Sequence, residues 1–424
     1  MRSTLIVVLT ALMLVFSLGR CWGEENVSES AQKRWHEWRL SRTEYPFAAW
    51  SYFSRYVGDV AGYELYRDAG LNMVQAPWSQ HTNAAEAGLG VLLGSWEGLH
   101  QSPYLLDAYL IHYAEPNTAV VGYMLYDEPH VDLFPLLGAA VETIYRKGPS
   151  TSLPIITLLP NWAVDWNRFK MTYSQYVRHF VDTVHPAVLL HTHYPLLADG
   201  TDRKEYYANL ELFRNEAERA GIGMMGFVLV TSHMLYRVPS EADIRWQVNS
   251  LLAYGAKGIW YYNYRIGDDR FGEGLITHNE GVPTERYAIV RQINEEVQRI
   301  GKLLLSLHST VVVHADDIIP TGTQRYEPGC LKGVETFTGE AFLIGQFKHL
   351  DEPSDDVYMM IVNKEHLPAQ KPENTAVFTL TSDYKNVWAY SRASGETELL
   401  QPDDQGQYRV VLPQGHGVLL RLTP

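Results

Sequence analysis

The stretch AVVGYMLYDEPH (119–130) is apolar for most of its length and then meets Asp127, Glu128, a proline and His130. A carboxylic acid at the end of a buried strand can keep its proton near neutral pH and give it to a leaving oxygen. The competing reading is local. Pro129 suits the first position of a helix, which would make Asp127 or Glu128 a cap or dipole partner. On a strand the two acids point to opposite sides, so at most one of them enters a shared cleft.

A second group of candidates is imidazole. His191 and His193 stand two apart in AVLLHTHYP (187–195), which places both on one face of a strand. Together with His233 they would supply three ligands to a metal that keeps an open position. No HxxxH pair accompanies them, so ligand contact or simple burial is preferred, and no metal or cofactor is expected.

These residues need elements to hold them. Short apolar runs begin at 47, 72, 90, 120, 153, 187, 223 and 257, with the near-continuous hydrophobicity of parallel strands buried on both faces. Amphipathic stretches lie between them. DVAGYELYRDAG ends at Gly70, and TDRKEYYANLELFRNEAERAG opens on a Thr201/Asp202 cap and ends at Gly221. PSEADIRWQVNSLLAYGAK starts with a Ser240 cap, and VPTERYAIVRQINEEVQRIGKLL follows the last strand. Eight such strands with their helices predict an α/β fold, a (β/α)8 barrel over 47–307. No glycine-rich phosphate loop follows any strand, which argues against a doubly wound sheet. From His308 the helical pattern stops, and six β-type runs separated by turn-rich pieces predict a β-sandwich over 308–424.

The ends of the chain set the compartment and the partners. Arg2 followed by LIVVLTALMLVFSL (Leu5–Leu18), with small residues at Cys21 and Gly23, predicts a signal peptide over 1–23 and a lead-in over 24–46. The apolar run is shorter than the roughly 20 residues a spanning helix needs, so a secreted or periplasmic protein without a membrane span is expected. Cleavage leaves Cys330 as the single cysteine, which excludes an internal disulfide and a cysteine-based zinc motif. Lys and Arg number 35 against 49 Asp and Glu, a net charge of −14, and no basic cluster stands out. Nucleic acid is therefore not an expected partner.

In barrels of this kind the strands' C-terminal ends carry the site. Here they offer Trp50, Trp96, Asp127, Glu128, Trp162, His193, Tyr194, His233, Asn263 and Tyr264, a rim rich in aromatic rings and amides. Flat rings and amides suit hydroxyl-rich ligands, so a carbohydrate is the expected partner.

GYMLYDEP resembles the fourth-strand motif of clan A (β/α)8 glycoside hydrolases, in which an Asn-Glu or Asp-Glu pair carries the general acid/base. RVPSEADIRWQVNSLLAYGAKGIWYYNY is similar to the family's approach to the eighth strand, GVPTERYAIVRQINEEVQRIGKLLLSL to its last helix, and the closing strands to the sandwich that often follows. The resemblance implies a glycosidase in which Glu128 is the acid/base and Asp127 orients a sugar hydroxyl. Trp96, Trp162, His193, Tyr194, His233, Asn263 and Tyr264 would then bind substrate. The family's seventh strand ends in a nucleophilic carboxylate, whereas here GFVLVTSHMLYR offers Thr231, Ser232 and His233. Retention needs two carboxyls about 5–5.5 Å apart and inversion about 6.5–9.5 Å. A second acid is therefore expected from the loop RIGDDRFGEG, with Asp269 and Glu273 as the candidates; Asp268, Asp165 and Asp199 are weaker ones. The alternatives are a carbohydrate-binding protein on a glycosidase scaffold that has lost the second acid, and a metal-dependent hydrolase built on the three histidines.

Overall fold

The computed structural model describes residues 27–51, 58–94, 106, 119–268 and 270–424. The expected signal peptide, Trp96 and Asp269 lie outside the described residues. Among the described residues no helix is long and apolar enough to cross a membrane.

Among the described residues, eight parallel strands carry the first part of the chain: β1 (Phe47–Ser51), β2 (Met73–Ala76), β3 (Gly90–Leu93), β4 (Val120–Tyr126), β5 (Leu153–Ile156), β6 (Val188–His191), β7 (Gly223–Leu229) and β8 (Ile259–Arg265). They form two four-stranded sheets, in the orders β1-β8-β7-β6 and β2-β3-β4-β5. The sheets meet at both edges. Thr157 bridges to Leu190 in parallel register, and the Asn72 N–H donates to the Phe47 carbonyl at 3.0 Å. The Asn72 side chain ties the same seam, accepting from the Phe47 N–H at 2.9 Å. Each run is apolar on both faces because one side meets an inner layer of Ala48, Met73, Leu92, Val121, Leu153 and Met225, and the other meets helices.

The helices are α1 (Val27–Ser41), α2 (Val60–Asp68), α3 (His81–Glu86), α4 (Phe134–Lys147), α5 (Trp166–Phe169), α6 (Tyr173–Val184), α7 (Tyr206–Ala220), α8 (Glu241–Ala253) and α9 (Glu285–Ser306). Helix α8 starts at the expected Ser240 cap, in a reciprocal box with Asp243. Helix α7 ends at Gly221 in the left-handed region, φ 68°, as expected. Its start is different. Thr201 turns back onto Asp199 at 2.7 Å through its hydroxyl, and Asp202 bridges to Leu196, so the helix begins only at Tyr206.

Helix α1 lies in the stretch expected as a lead-in, and it covers the strands' N-terminal ends. Trp35 and Trp38 stack at 5.5 Å, and the Trp38 indole N–H donates to the Val121 carbonyl at 3.1 Å. Gly223, the first residue of β7, is small for this contact: a Cβ there would sit 2.5 Å from the Trp35 ring. Arg34 reaches the C-terminal carbonyls of α4, among them Tyr145 at 2.8 Å.

The remaining strands are antiparallel: β9 (Leu307–Ala315), β10 (Val334–Thr338), β11 (Phe342–His349), β12 (Val357–Asn363), β13 (Glu373–Leu380), β14 (Asn386–Tyr390), β15 (Thr397–Leu400), β16 (Tyr408–Pro413) and β17 (Gly417–Thr423). They form a six-stranded sheet, β15-β14-β17-β12-β11-β9, and a three-stranded sheet, β10-β13-β16. Val313, Ile344, Met359 and Leu420 of the first pack on Phe337, Ala376, Phe378 and Leu412 of the second. Strands β10, β15 and β16 were not among the six runs expected. β15 is four residues long and largely exposed, while β10 and β16 bury only some of their residues, so the continuous apolar signal is thin in each. The six-stranded sheet lies on α8 closely enough that a Cβ at Gly345 would meet the Ala253 carbonyl at 2.1 Å.

Candidate active site

A cleft of about 400 Å³ opens at the C-terminal ends of the parallel strands. Strand β4 delivers its acids. The strand ends at Tyr126, and Glu128 adopts a left-handed backbone, φ 53°. That conformation costs a non-glycine residue about 1–2 kcal/mol. It breaks the strand alternation, so Asp127 and Glu128 both line the cleft, contrary to the expectation that only one would enter. Neither caps a helix. A 3-10 turn at Val131–Leu133 is capped by His130, and α4 begins at Phe134, five residues after Pro129.

Thr157, just past β5, holds the pair. Its hydroxyl donates to Asp127 Oδ1, and its carbonyl and hydroxyl oxygens accept the Glu128 N–H at 3.2 and 3.1 Å. Loss of surrounding water pushes the Glu128 carboxyl up to about 7, and the neighbouring Asp127 charge adds to the rise, although the residue stays open to solvent. Burial also raises Asp127, and the Thr157 hydrogen bond opposes that rise.

The walls are aromatic. Trp50, Trp162, Tyr194, Phe227, Tyr236 and Tyr262 line the cleft together with His233 and Arg203. Tyr194 sits 5.0 Å from Tyr262 and edge-on to Tyr236 at 5.7 Å. Trp162 is exposed at the rim, with the Arg203 guanidinium carbon 3.9 Å from its ring centre. His233 lies flat on Phe271 at 4.2 Å, and burial together with Arg270 lowers it, so its ring is neutral at pH 7.

Of the expected site residues, Asp127, Glu128, Trp162, Tyr194 and His233 therefore come together. Others do not. His193 and His191 face outward onto α7: His191 packs against Phe213 at 5.0 Å, and His193 Nδ1 meets the Asn209 amide at 2.7 Å. Burial holds both below the usual imidazole range. His193 touches the cleft only indirectly, edge-on behind Trp162 at 5.0 Å. The three histidines thus do not converge, and among the described residues no group of three or more His, Cys, Asp or Glu could hold a metal.

Tyr264 faces outward against Tyr66 at 4.9 Å. The pairing with β1 jumps from Ala49↔Tyr261 to Ser51↔Arg265, and that irregularity interrupts the alternation of β8. Tyr262 is the tyrosine of this strand that lines the cleft. Asn263 is buried beneath the following loop, where a Cβ at Gly274 would sit 2.3 Å from its side-chain oxygen. Glu273 turns back within its own loop and accepts the His278 N–H, so it is not part of the cleft lining.

The weaker acids are engaged elsewhere too. Asp165 caps α5, Asp199 holds Thr201, and Asp268 pairs with Arg270 at 2.7 Å. Thr157, Thr192, Arg203, Phe227 and Tyr236 are cleft residues that the sequence reading did not select. Arg203 lies in what reads as the polar start of a helix, which gives no hint of a site.

No family model matches the chain, and no curated protein matches it in sequence. Among the solved structures similar to it are several described as glycosidases. A putative alpha-galactosidase from Bacteroides fragilis is 9% identical, with 90% of this chain and 79% of that chain covered and a TM-score of 0.50. The glycoside hydrolase family 30 subfamily 8 xylanase from Clostridium acetobutylicum is 11% identical, covering 89% and 96%, with a TM-score of 0.45. The endo-beta-1,4-mannanase from Thermotoga petrophila is 10% identical, covering 88% and 92%, with a TM-score of 0.39. At 9% identity the likeness to the first is a likeness of fold.

Proposed function

We propose that this chain is a glycoside hydrolase in which the two parallel sheets act as one (β/α)8 barrel and Glu128 is the general acid. The observation that carries the reading is Glu128 itself, a carboxyl raised to about 7 at the end of β4 in an aromatic cleft. A group with that value is about half protonated at neutral pH and can hand its proton to a glycosidic oxygen. The Asp127 charge helps keep the proton on Glu128, and Thr157 fixes both groups. Trp162, Tyr194 and Tyr262 give the cleft aromatic surface against which a sugar can pack. As complementary proton acceptors the described cleft offers Asp127 and the neutral His233. Asp269 remains the loop's candidate, since its neighbours Asp268 and Glu273 are engaged with Arg270 and His278.

A second reading rests on a specific observation. Among the described residues the cleft holds no carboxylate besides the adjacent pair, which favours a carbohydrate-binding protein on a glycosidase scaffold. One experiment separates the two: sugar release from a polysaccharide and aryl-glycoside panel by wild type and Glu128→Gln. Release that collapses in the variant supports the enzyme. Binding without release by either protein supports the second reading, and release indifferent to the substitution removes Glu128 from the chemistry.

A further inference from the structure

We propose that the cleft recognises an acidic saccharide, with the Arg203 guanidinium holding the carboxylate of a uronic acid residue. This rests on the carbohydrate reading above and adds the substrate class.

Arg203 is the one lysine or arginine in the described lining of the cleft. The segment after β6 fixes its backbone, the Arg203 N–H donating to the Pro195 carbonyl at 2.9 Å. Its guanidinium carbon lies 3.9 Å from the centre of the Trp162 ring and 5.5 Å from that of Tyr236. This stacking sets the plane of the group and keeps it from swinging into solvent.

The hydrogen bonding of its donors is sparse. A guanidinium carries five N–H donors, and among the described residues one long bond is made, from Nη2 to the Tyr236 hydroxyl at 3.4 Å. Nε is buried and has no hydrogen-bond partner among the described residues. Two buried arginines of this acid-rich chain face carboxylates, Arg245 with Glu296 at 2.7 Å and Arg39 with Asp351 at 2.7 Å, and Arg34 and Arg265 donate to backbone carbonyls. The acid next in sequence, Asp202, serves His366 at 3.0 Å and Arg237 at 3.6 Å instead.

A stacked, planar fork with open donors matches a carboxylate, which accepts two parallel N–H bonds and neutralises the charge. A neutral hydroxyl does neither. The chain's net charge of −14 gives no long-range attraction for a polyanion, so discrimination must come from this contact. There is also room for a longer chain. Arg203 borders both the cleft and a groove of about 580 Å³ that reaches Asp316, Pro320 and Lys364 of the sandwich side.

The test is calorimetric binding to the full chain carrying Glu128→Gln, so that turnover does not interfere. The probes are oligogalacturonate, oligomannuronate and a glucuronate-bearing xylo-oligosaccharide, each beside its counterpart with the carboxyl reduced to an alcohol. The expected result is that at least one acidic probe binds about 10- to 100-fold more tightly than its reduced form. Adding Arg203→Gln should abolish that preference, and Arg203→Lys should restore part of it. An unchanged melting temperature shows that these variants fold. Equal binding of acidic and reduced forms overturns the acidic subsite and leaves the carbohydrate reading standing. An Arg203-dependent preference for sulfated oligosaccharides overturns the carboxylate assignment. Failure to bind any saccharide overturns both.

Discussion

Thr157 holds Glu128 by its backbone N–H, through a carbonyl at 3.2 Å and a hydroxyl at 3.1 Å, while the same hydroxyl donates to Asp127. One residue at the end of β5 therefore sets both the turn that brings Glu128 into the cleft and the orientation of its neighbour. Thr157→Val removes the hydroxyl and keeps the shape. The expected outcome is a fall in kcat of about tenfold with KM little changed, measured by steady-state kinetics on the best substrate of the panel.

Glu128→Gln keeps the side chain's size but has no acidic proton to give. On substrates with poor leaving groups activity should fall by roughly a hundredfold or more, and on activated aryl glycosides by much less. In wild type the general acid must be protonated, so kcat/KM should fall as pH rises through about 7. A rate that is flat from pH 6 to 9 would contradict the assignment.

Asp127→Asn tests the electrostatic coupling. Desolvation is the larger cause of the raised Glu128 value and the Asp127 charge is the second. Removing that charge lets Glu128 lose its proton more easily, so the alkaline limb of the pH profile should move to lower pH. A limb that stays in place would mean that Asp127 is not charged in the active form.

His366 joins the sandwich to the loop that carries Arg203. It stacks on Trp246 at 4.0 Å and meets Asp243 at 2.8 Å and Asp202 at 3.0 Å. Burial alone would lower it, but the bonds to Asp202 and Asp243 outweigh burial and raise it. Its contribution to stability is thus full below the ordinary imidazole value of about 6.5 and is lost as pH rises through the higher folded value. The hydrogen bond to His366 is the largest influence lowering Asp243, against burial, so that carboxylate's contribution fades only in acid. His366→Phe should cost about 3 kcal/mol near pH 6 and clearly less near pH 9, measured by denaturant unfolding at both values.

Trp38 closes the strands' N-terminal ends. It is almost fully buried and donates to Val121. Trp38→Ala should lower stability by about 3–5 kcal/mol, far from the cleft. Sugar release at temperatures below the new melting point should persist, which separates loss of stability from loss of the site.

What the sequence determined by itself was the rhythm of elements. Strand β4 occupies Val120–Tyr126 as read, Ser240 caps α8 and Gly221 ends α7, because periodicity, caps and left-handed glycines are local properties of a chain. Asp127 and Glu128 were legible for the same reason, as acids at the end of an apolar run. Tertiary structure decided which way side chains face. A strand buried on both sides has no hydrophobic parity, so nothing in AVLLHTHYP tells that Leu190 points inward while His191 and His193 point to α7. The turn at Glu128 and the irregular β1–β8 register likewise depend on strands brought together from distant parts of the chain. Arg203 and Trp162, 41 positions apart, become a stacked pair only because the segments after β5 and β6 converge on one rim.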